Sequence, residues 1–122
     1  MAERNDLARG NCYQAAWIWL DEIRPANAVL CHGIATRTQP PHERMGHAWV
    51  EVQVSGYQFC VDSLFPGTAI FQGRYYAIGN IDPKDVRRYT LDEARKLMLE
   101  RGNYGPWDEV IMAAAHVNDG PE

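Results

Sequence analysis

Polar and apolar side chains alternate along residues 46–54, and this alternation predicts a β-strand. The even positions from 48 to 54 are Ala, Val, Val and Val, whereas the odd positions from 47 to 53 are His, Trp, Glu and Gln. Successive side chains of a strand point to opposite faces of a sheet, so one face of this strand is expected in the core. The opposite face begins with His47 and carries the groups able to do chemistry.

The following residues predict a tight hairpin. Ser55 and Gly56 form a two-residue turn before a second β-prone run over residues 57–63, and such short loops set the register of the two strands. The apolar positions then face one another in the pairs Val54–Tyr57, Val52–Phe59, Val50–Val61 and Ala48–Ser63. On the other face the expected pairs are Glu51–Cys60, Trp49–Asp62 and His47–Leu64.

This register makes Asp62 the diagonal neighbour of His47. Diagonal residues on paired strands lie roughly 7–8 Å apart, and long side chains span that gap. A carboxylate at this position can accept a hydrogen bond from an imidazole. The hairpin alone therefore predicts a histidine–aspartate pair.

A helix is predicted to begin at Cys12. Asn11 suits its N-cap and Gln14 its third position, and Pro25 ends it. The apolar stripe expected to lie on the sheet is Cys12, Ala15, Ala16, Trp19, Leu20 and Ile23. A mostly apolar run predicts a strand over residues 27–36, and the polar residues 37–45 predict a long loop that borders a binding site.

Four further elements are predicted after the hairpin. Residues 74–81 are typical of a strand, and residues 86–89 of a short edge strand. A capping box formed by Thr90 and Glu93 opens a helix that Gly102 closes. Pro106 suits the first turn of a last helix, whose expected buried stripe is Trp107, Val110, Ile111, Ala114 and Val117.

The length of 122 residues suits a single domain, residues 1–122. The predicted class is α+β, with an N-terminal helix on an antiparallel sheet and two C-terminal helices. We expect the N-terminal helix on the sheet face that bears His47 and Asp62. The C-terminal helices then cover the face that bears Val50 and Val52.

Composition and net charge limit the classes of molecule that the protein is expected to bind. Hydrophobic residues make up 46% of the chain and charged residues 23%, as in ordinary globular proteins. The net charge of −4 disfavours nucleic acid, which needs clustered Lys and Arg. The apolar run at residues 15–20 is too short to span a membrane, and the first residues lack a signal-peptide pattern. These features predict a cytoplasmic protein that acts on a peptide or a small amide.

Three residues predict nucleophilic chemistry. A helix N-terminus favours the thiolate form of a cysteine, and Cys12 is expected at such a position. An imidazole can act as its partner and general base, and a carboxylate can orient that imidazole. His47 and Asp62 fit these two roles. This chemistry requires neither a metal nor a cofactor.

At this point the chain resembles the papain-like superfamily, and within it the transglutaminase-like branch that includes compact bacterial peptide-maturation cysteine proteases. Gly10-Asn11-Cys12-Tyr13 is similar to the family's Gly-x-Cys-aromatic helix start. The motif His47-Ala48-Trp49-Val50-Glu51 is similar to its His-x-Trp-Val-Glu strand, and Val61-Asp62 to the end of the next strand. The resemblance covers residues 10–63 and implies a papain-like or transglutaminase-like core with a Cys12-His47-Asp62 triad.

The resemblance also directs attention to the oxyanion hole. Papain-type proteases carry a Gln before the cysteine, whereas this chain has only Asn5 and Asn11 there. The hole would use the Cys12 backbone N–H with Asn5 or Gln14. Trp49 is expected beside the site, where it can wall the substrate cleft.

Several functions share these residues. Water as acyl acceptor makes the protein a cysteine peptidase or amidase, whereas an amine acceptor makes it a transglutaminase or acyltransferase. A non-catalytic binding module can keep the same fold. A zinc site would recruit Cys31, His42, His47 and Cys60, or His32, although no regular pair spacing supports it. The 37–45 loop contains three basic residues that either bind a carboxylate of a ligand or are simply solvated: Arg37, His42 and Arg44.

Overall fold

An antiparallel sheet of five strands forms the centre of the fold. A computed structural model describes the backbone of residues 12–119 and the side chains of residues 12–114. The strands are β1 (Ala28–Thr36), β2 (Arg44–Val54), β3 (Tyr57–Val61), β4 (Ala69–Phe71) and β5 (Arg87–Tyr89), in the spatial order β4-β3-β2-β1-β5.

Four α-helices lie within the described residues: α1 (Cys12–Ile23), α2 (Gln72–Gly79), α3 (Leu91–Arg101) and α4 (Glu109–Asp119). A short 3-10 helix, Pro83–Asp85, precedes β5. The α+β class predicted from the sequence is confirmed. Every helix within residues 12–119 is too short or too polar to cross a membrane.

The predicted hairpin forms, with β2 and β3 in the expected register up to Val50 and Val61. The ladder then stops, so the three pairs expected beyond it are absent: Ala48–Ser63, Trp49–Asp62 and His47–Leu64. Asp62 starts a turn instead, because its carbonyl accepts the Phe65 N–H at 2.9 Å and its carboxylate accepts the Leu64 N–H at 2.9 Å. Such local bonds to an aspartate are a common alternative to a strand.

Helix α1 packs on the opposite face of the sheet from the one expected. Its buried side chains cluster with Ala48, Val50 and Val52, together with Ala94 of α3 and Trp107. The prediction that α1 covers the His47 face is therefore wrong. The apolar face of β2 receives both α1 and the C-terminal helices, because the other face is already occupied.

The buried side of α1 is also rotated from the predicted stripe. Tyr13 and Trp17 are buried with Cys12, Ala16 and Leu20, whereas Ile23 is exposed. The indole N–H of Trp17 donates to the Ala94 carbonyl at 3.1 Å, which joins α1 to α3. An aromatic side chain with a polar N–H is buried where that group finds an acceptor.

Helix α2 occupies the His47 face, where a strand was expected from residues 74–81. Tyr75 and Tyr76 have high β-propensity, and this favoured the wrong element. In the helix both rings are buried, and they pack around Trp49 at ring-centroid distances of 5.3 and 6.0 Å. Gly33 makes room for this indole, since a Cβ there would lie 2.6 Å from Trp49 Cη2.

The remaining elements largely follow the sequence. The strand at residues 28–36, the edge strand β5, the Thr90–Glu93 capping box and the left-handed Gly102 that closes α3 are all confirmed. The last helix begins at Glu109 and not at Pro106, because the carboxylate of Asp108 accepts the Val110 N–H at 2.9 Å and serves as its cap. Val110 is exposed, contrary to the predicted stripe.

His32 lies fully buried in an aromatic cage on the α1 face. The rings of Tyr13, Tyr89 and Trp107 surround it at centroid distances of 4.9, 5.2 and 5.0 Å. Within the described residues, neither ring nitrogen of His32 has a hydrogen-bond partner. Burial therefore lowers the pKa of His32 to about 3, and the imidazole is neutral in the folded protein at pH 7.

This cage predicts acid lability. The imidazole of an unfolded chain has a pKa of about 6.5. Below that pH the unfolded state therefore binds a proton at His32, whereas the folded state does not. The stabilisation is complete above pH 6.5 and is lost as the pH falls towards 3, by up to about 1.4 kcal/mol per pH unit. In His32→Phe, the free energy of unfolding should fall less steeply between pH 6 and pH 4.

Urea unfolding at each pH measures this slope within each variant, so any direct effect of the substitution on stability cancels. The exposed His42 provides the matched control, and His42→Asn should keep the wild-type slope. Equal slopes in the wild type and His32→Phe would show that the cage does not suppress protonation.

Candidate active site

Cys12 opens α1 and lies nearly buried beside His47. Its side chain interacts electrostatically with the His47 ring and raises the pKa of that ring, and only 8% of Cys12 is exposed. Tyr13, the next residue, extends its ring to the backbone of Gly46, where a Cβ would collide with the phenol oxygen. The glycine before His47 thus lets the first turn of α1 approach β2 closely.

Asp62 holds His47 from the other side. His47 Nε2 and Asp62 Oδ2 are 2.7 Å apart, which leaves Nδ1 as the ring nitrogen for the thiol. The other oxygen of Asp62 accepts the Leu64 backbone N–H. A third donor, the hydroxyl of Tyr75, bonds to Asp62 Oδ2.

The early end of β3 explains why these groups meet. Because β3 stops at Val61, none of the described strands neighbours the His47 end of β2 on that side. The first turn of α1 comes to this gap from one face of the sheet, and the turn at Asp62 closes it. His47 therefore contacts both, although the body of α1 lies on the face opposite its ring.

The electrostatics favour a charged pair. Burial alone would lower the pKa of His47, but the hydrogen bond to Asp62 and the interactions with the Cys12 and Asp62 side chains raise it to about 10. Burial would raise the pKa of Asp62, but the hydrogen bond and the charge of His47, together with the Leu64 N–H, lower it. At neutral pH an imidazolium therefore lies between the Asp62 carboxylate and the Cys12 side chain.

Glu51 forms a second buried carboxylate centre on the same face. It accepts hydrogen bonds from Trp49 Nε1 at 3.0 Å, Gln72 Nε2 at 2.9 Å and the Tyr76 hydroxyl, and Arg88 Nε lies 3.2 Å away. Burial would raise the pKa of Glu51, but the bonds from Tyr76 and Trp49 and the charge of Arg88 lower it. The Glu51 carboxylate thus links α2 to the sheet and, within the sheet, β2 to β5.

A cavity of about 400 Å³ opens beside the three predicted catalytic residues. Cys12, His47 and Asp62 all line it, and so does Tyr75. The remaining walls come from Tyr13, the end of β1 and the following residues 37–39, the start of β2, the turn after Asp62, the end of α2 with Ile81, and the Gly105–Pro106 loop. A ligand in this cavity would lie against the thiol.

The side chains predicted to form the oxyanion hole and the wall of the substrate cleft do not line the cavity where the structure describes them. Asn5 and Asn11 lie outside the described residues. Gln14 is exposed and does not line the cavity. Trp49 is fully buried behind His47, with a ring-centroid distance of 6.1 Å, and so does not wall the cleft either. Closeness in sequence to Cys12 or His47 therefore does not bring either side chain to the cavity.

The zinc alternative gains no support. Cys31 and Cys60 are fully buried free thiols, and burial together with the charge of Glu51 raises the pKa of each. Among the described residues, no group of three or more His, Cys, Asp or Glu side chains could hold a metal ion. Of the three basic loop residues, Arg37 lines the cavity, with Glu43 3.7 Å from it.

Sequence reasoning missed Tyr75 and the Leu64 N–H. Tyr75 was hidden by the wrong assignment of its segment to a strand. The donor from Leu64 depends on the turn at Asp62, for which the following Phe65-Pro66-Gly67 was the available signal. Comparison with protein-family models, curated proteins and solved structures finds no match to this chain.

Replacement of Asp62 tests the electrostatics of the site. In Asp62→Asn the imidazolium loses its anionic acceptor, while burial and the thiol remain, so the pKa of His47 should fall by more than about one unit from 10. The measurement is an NMR titration of labelled histidine rings. Asp92→Asn, the same change at an exposed position of α3, should leave the titration unchanged. An unaltered pKa in Asp62→Asn would contradict the assignment.

Proposed function

We propose that this chain is a cysteine-nucleophile acyl-transfer enzyme with a papain-like or transglutaminase-like core, and that it works as a peptidase or amidase. The observation that carries the proposal is the grouping of Cys12, His47 and Asp62 at the wall of one cavity, where the His47 ring is hydrogen-bonded to Asp62 and interacts electrostatically with Cys12. The geometry matches the relation of nucleophile, base and orienting carboxylate that such chemistry requires. The resemblance of residues 10–63 to that superfamily points the same way.

In the first half-reaction Cys12 attacks the carbonyl carbon of the substrate as the thiolate of an ion pair with the His47 imidazolium. The C–S bond forms while the carbonyl electron pair moves to oxygen, and the backbone N–H groups at the start of α1 stabilise that oxyanion. The imidazolium of His47 then gives its proton to the leaving nitrogen as the C–N bond breaks. The products are a thioester on Cys12 and a free amine.

In the second half-reaction His47, now neutral, takes a proton from water as the oxygen attacks the thioester. The C–O bond forms, the C–S bond breaks, and the sulfur leaves as thiolate beside the regenerated imidazolium. Asp62 keeps the ring in place throughout, because its bonds to Leu64 and Tyr75 prevent it from turning away. An amine that replaces water would make the same residues a transferase.

The nucleophile assignment predicts selective alkylation. At pH 6, iodoacetamide should modify Cys12 much faster than Cys31 or Cys60, which are fully buried. In His47→Asn the rate at Cys12 should fall by about tenfold or more, because the imidazolium no longer stabilises the thiolate. Mass spectrometry of tryptic peptides resolves the three thiols.

His42→Asn supplies the control, since His42 is an exposed loop histidine and its loss should leave the rate at Cys12 unchanged. If Cys12 reacts at the same rate with and without the His47 imidazole, the proposed nucleophile is wrong. The two other cysteines report in the same digest whether a variant has opened its core.

The choice of acceptor has its own test. 4-Nitrophenyl acetate should acetylate Cys12 in a burst of nitrophenolate, and water should then release acetate, because the proposal assigns hydrolysis to this site. Added methylamine should yield little N-methylacetamide beyond the uncatalysed amount. Product analysis by NMR measures this partition, with Cys12→Ala as the blank. Dominant amide formation would assign the protein to the transferases instead.

A further inference from the structure

Apolar side chains make up much of the cavity wall around the triad. These residues come from five separate parts of the chain: Ala35, Met45, Leu64, Phe65, Ile78, Ile81 and Pro106. Three of them, Leu64, Phe65 and Ile78, are large and remain 47%, 43% and 43% exposed. Exposed apolar groups gathered at one concave surface are typical of a ligand site.

The charges around the cavity are already paired. His47 and Asp62 bind each other at 2.7 Å, and Arg37 has Glu43 at 3.7 Å. No other Asp, Glu, Lys or Arg is found among the lining residues that the structure describes. A charged ligand group that entered would lose water without gaining a free counter-charge, which is unfavourable.

The turn after Asp62 links this wall to the chemistry. Leu64 gives its backbone N–H to the Asp62 carboxylate, so its side chain and that of Phe65 are held beside the triad. Ile78 lies one turn of α2 beyond Tyr75, whose hydroxyl also bonds to Asp62. The apolar wall is therefore fixed relative to the thiol by the same carboxylate that orients His47.

We infer that the acyl group accepted by Cys12 carries a bulky, uncharged apolar side chain next to the reacting carbonyl. The inference rests on the proposed function, since it names the substrate class of the same site. The volume of about 400 Å³ lies near the small end of the range of roughly 300–1,000 Å³ typical of small-molecule sites. It suits a residue such as leucine or phenylalanine with part of its backbone.

Chloromethyl ketones of N-acetylated amino acids test this inference directly. The sulfur of Cys12 displaces chloride from such a probe, and the amino-acid side chain lies next to the carbonyl. Each rate is divided by the iodoacetamide rate of the same variant, which removes differences in thiol reactivity. The leucine and phenylalanine probes should exceed the alanine probe by about tenfold or more, and the lysine and glutamate probes should be slower still.

Replacement of Ile78 should change this selectivity. Ile78→Glu places an unpaired carboxylate at the wall, so the relative rate of the lysine probe should rise about fivefold, while that of the leucine probe should fall about tenfold. Val110→Glu is the matched control, because Val110 is similarly exposed at 45% and does not line the cavity. Phe65→Ala is a second, smaller change and should slow the leucine probe severalfold.

The outcomes separate the two proposals. If iodoacetamide labels Cys12 in a His47-dependent manner but all side chains on the probes react equally, the substrate inference is wrong and the proposed function stands. Unchanged selectivity in both Ile78→Glu and Phe65→Ala also overturns the inference. If alkylation of Cys12 is independent of His47, the proposed function fails and the inference fails with it.

Discussion

The buried carboxylate of Asp62 is the constraint on which the site depends. An anion removed from water is strongly unfavourable unless hydrogen bonds and a counter-charge replace the solvent. Here the replacements come from three directions: the His47 ring on β2, the Leu64 N–H in the following turn and the Tyr75 hydroxyl on α2. Because each donor has to reach the same two oxygens, satisfaction of one buried charge positions a strand, a turn and a helix together. The orientation of His47 towards Cys12 is a consequence of this requirement.

Glu51 is a second buried carboxylate held by several hydrogen bonds, and it lies four residues after His47 on the same face of β2. Trp49, Gln72, Tyr76 and Arg88 surround its carboxylate. Adjacent tyrosines of one helix thus bind two carboxylates, one on β2 and one in the turn after β3, which fixes the rotation of α2. Burial and the charge of Asp62 raise the pKa of Tyr75, so its hydroxyl keeps the proton that it donates. The second centre therefore stabilises the first through a helix that was not recognisable as one from its composition.

The features that could be predicted from the sequence depend on neighbours close in the chain. The register of the hairpin follows from its two-residue turn, and the capping box of α3 from Thr90 and Glu93. The proximity of His47 and Asp62 was expected from that register, but it arises from the turn at Asp62, because β3 ends at Val61. The face on which α1 lies and the helical state of residues 72–79 depend on contacts distant in sequence, which override local propensity. Gln14 and Trp49 illustrate the same limit within the site, since side-chain direction and burial placed them away from the cavity.

His32 and His47 show how one sheet separates two environments. His32 on β1 neighbours Gly33, which pairs with His47 on β2, yet the pKa of one is lowered to about 3 and that of the other is raised to about 10. Aromatic rings surround His32 and none of the described residues hydrogen-bonds its nitrogens, so burial outweighs the nearby charge of Asp108, which alone would raise its pKa. His47 faces a carboxylate and a thiol where β3 has ended. The body of α1 packs on the apolar face of the sheet that carries His32. Its first residue, Cys12, reaches the polar surroundings of His47. The geometry that joins thiol to imidazole is therefore set by where the helix begins.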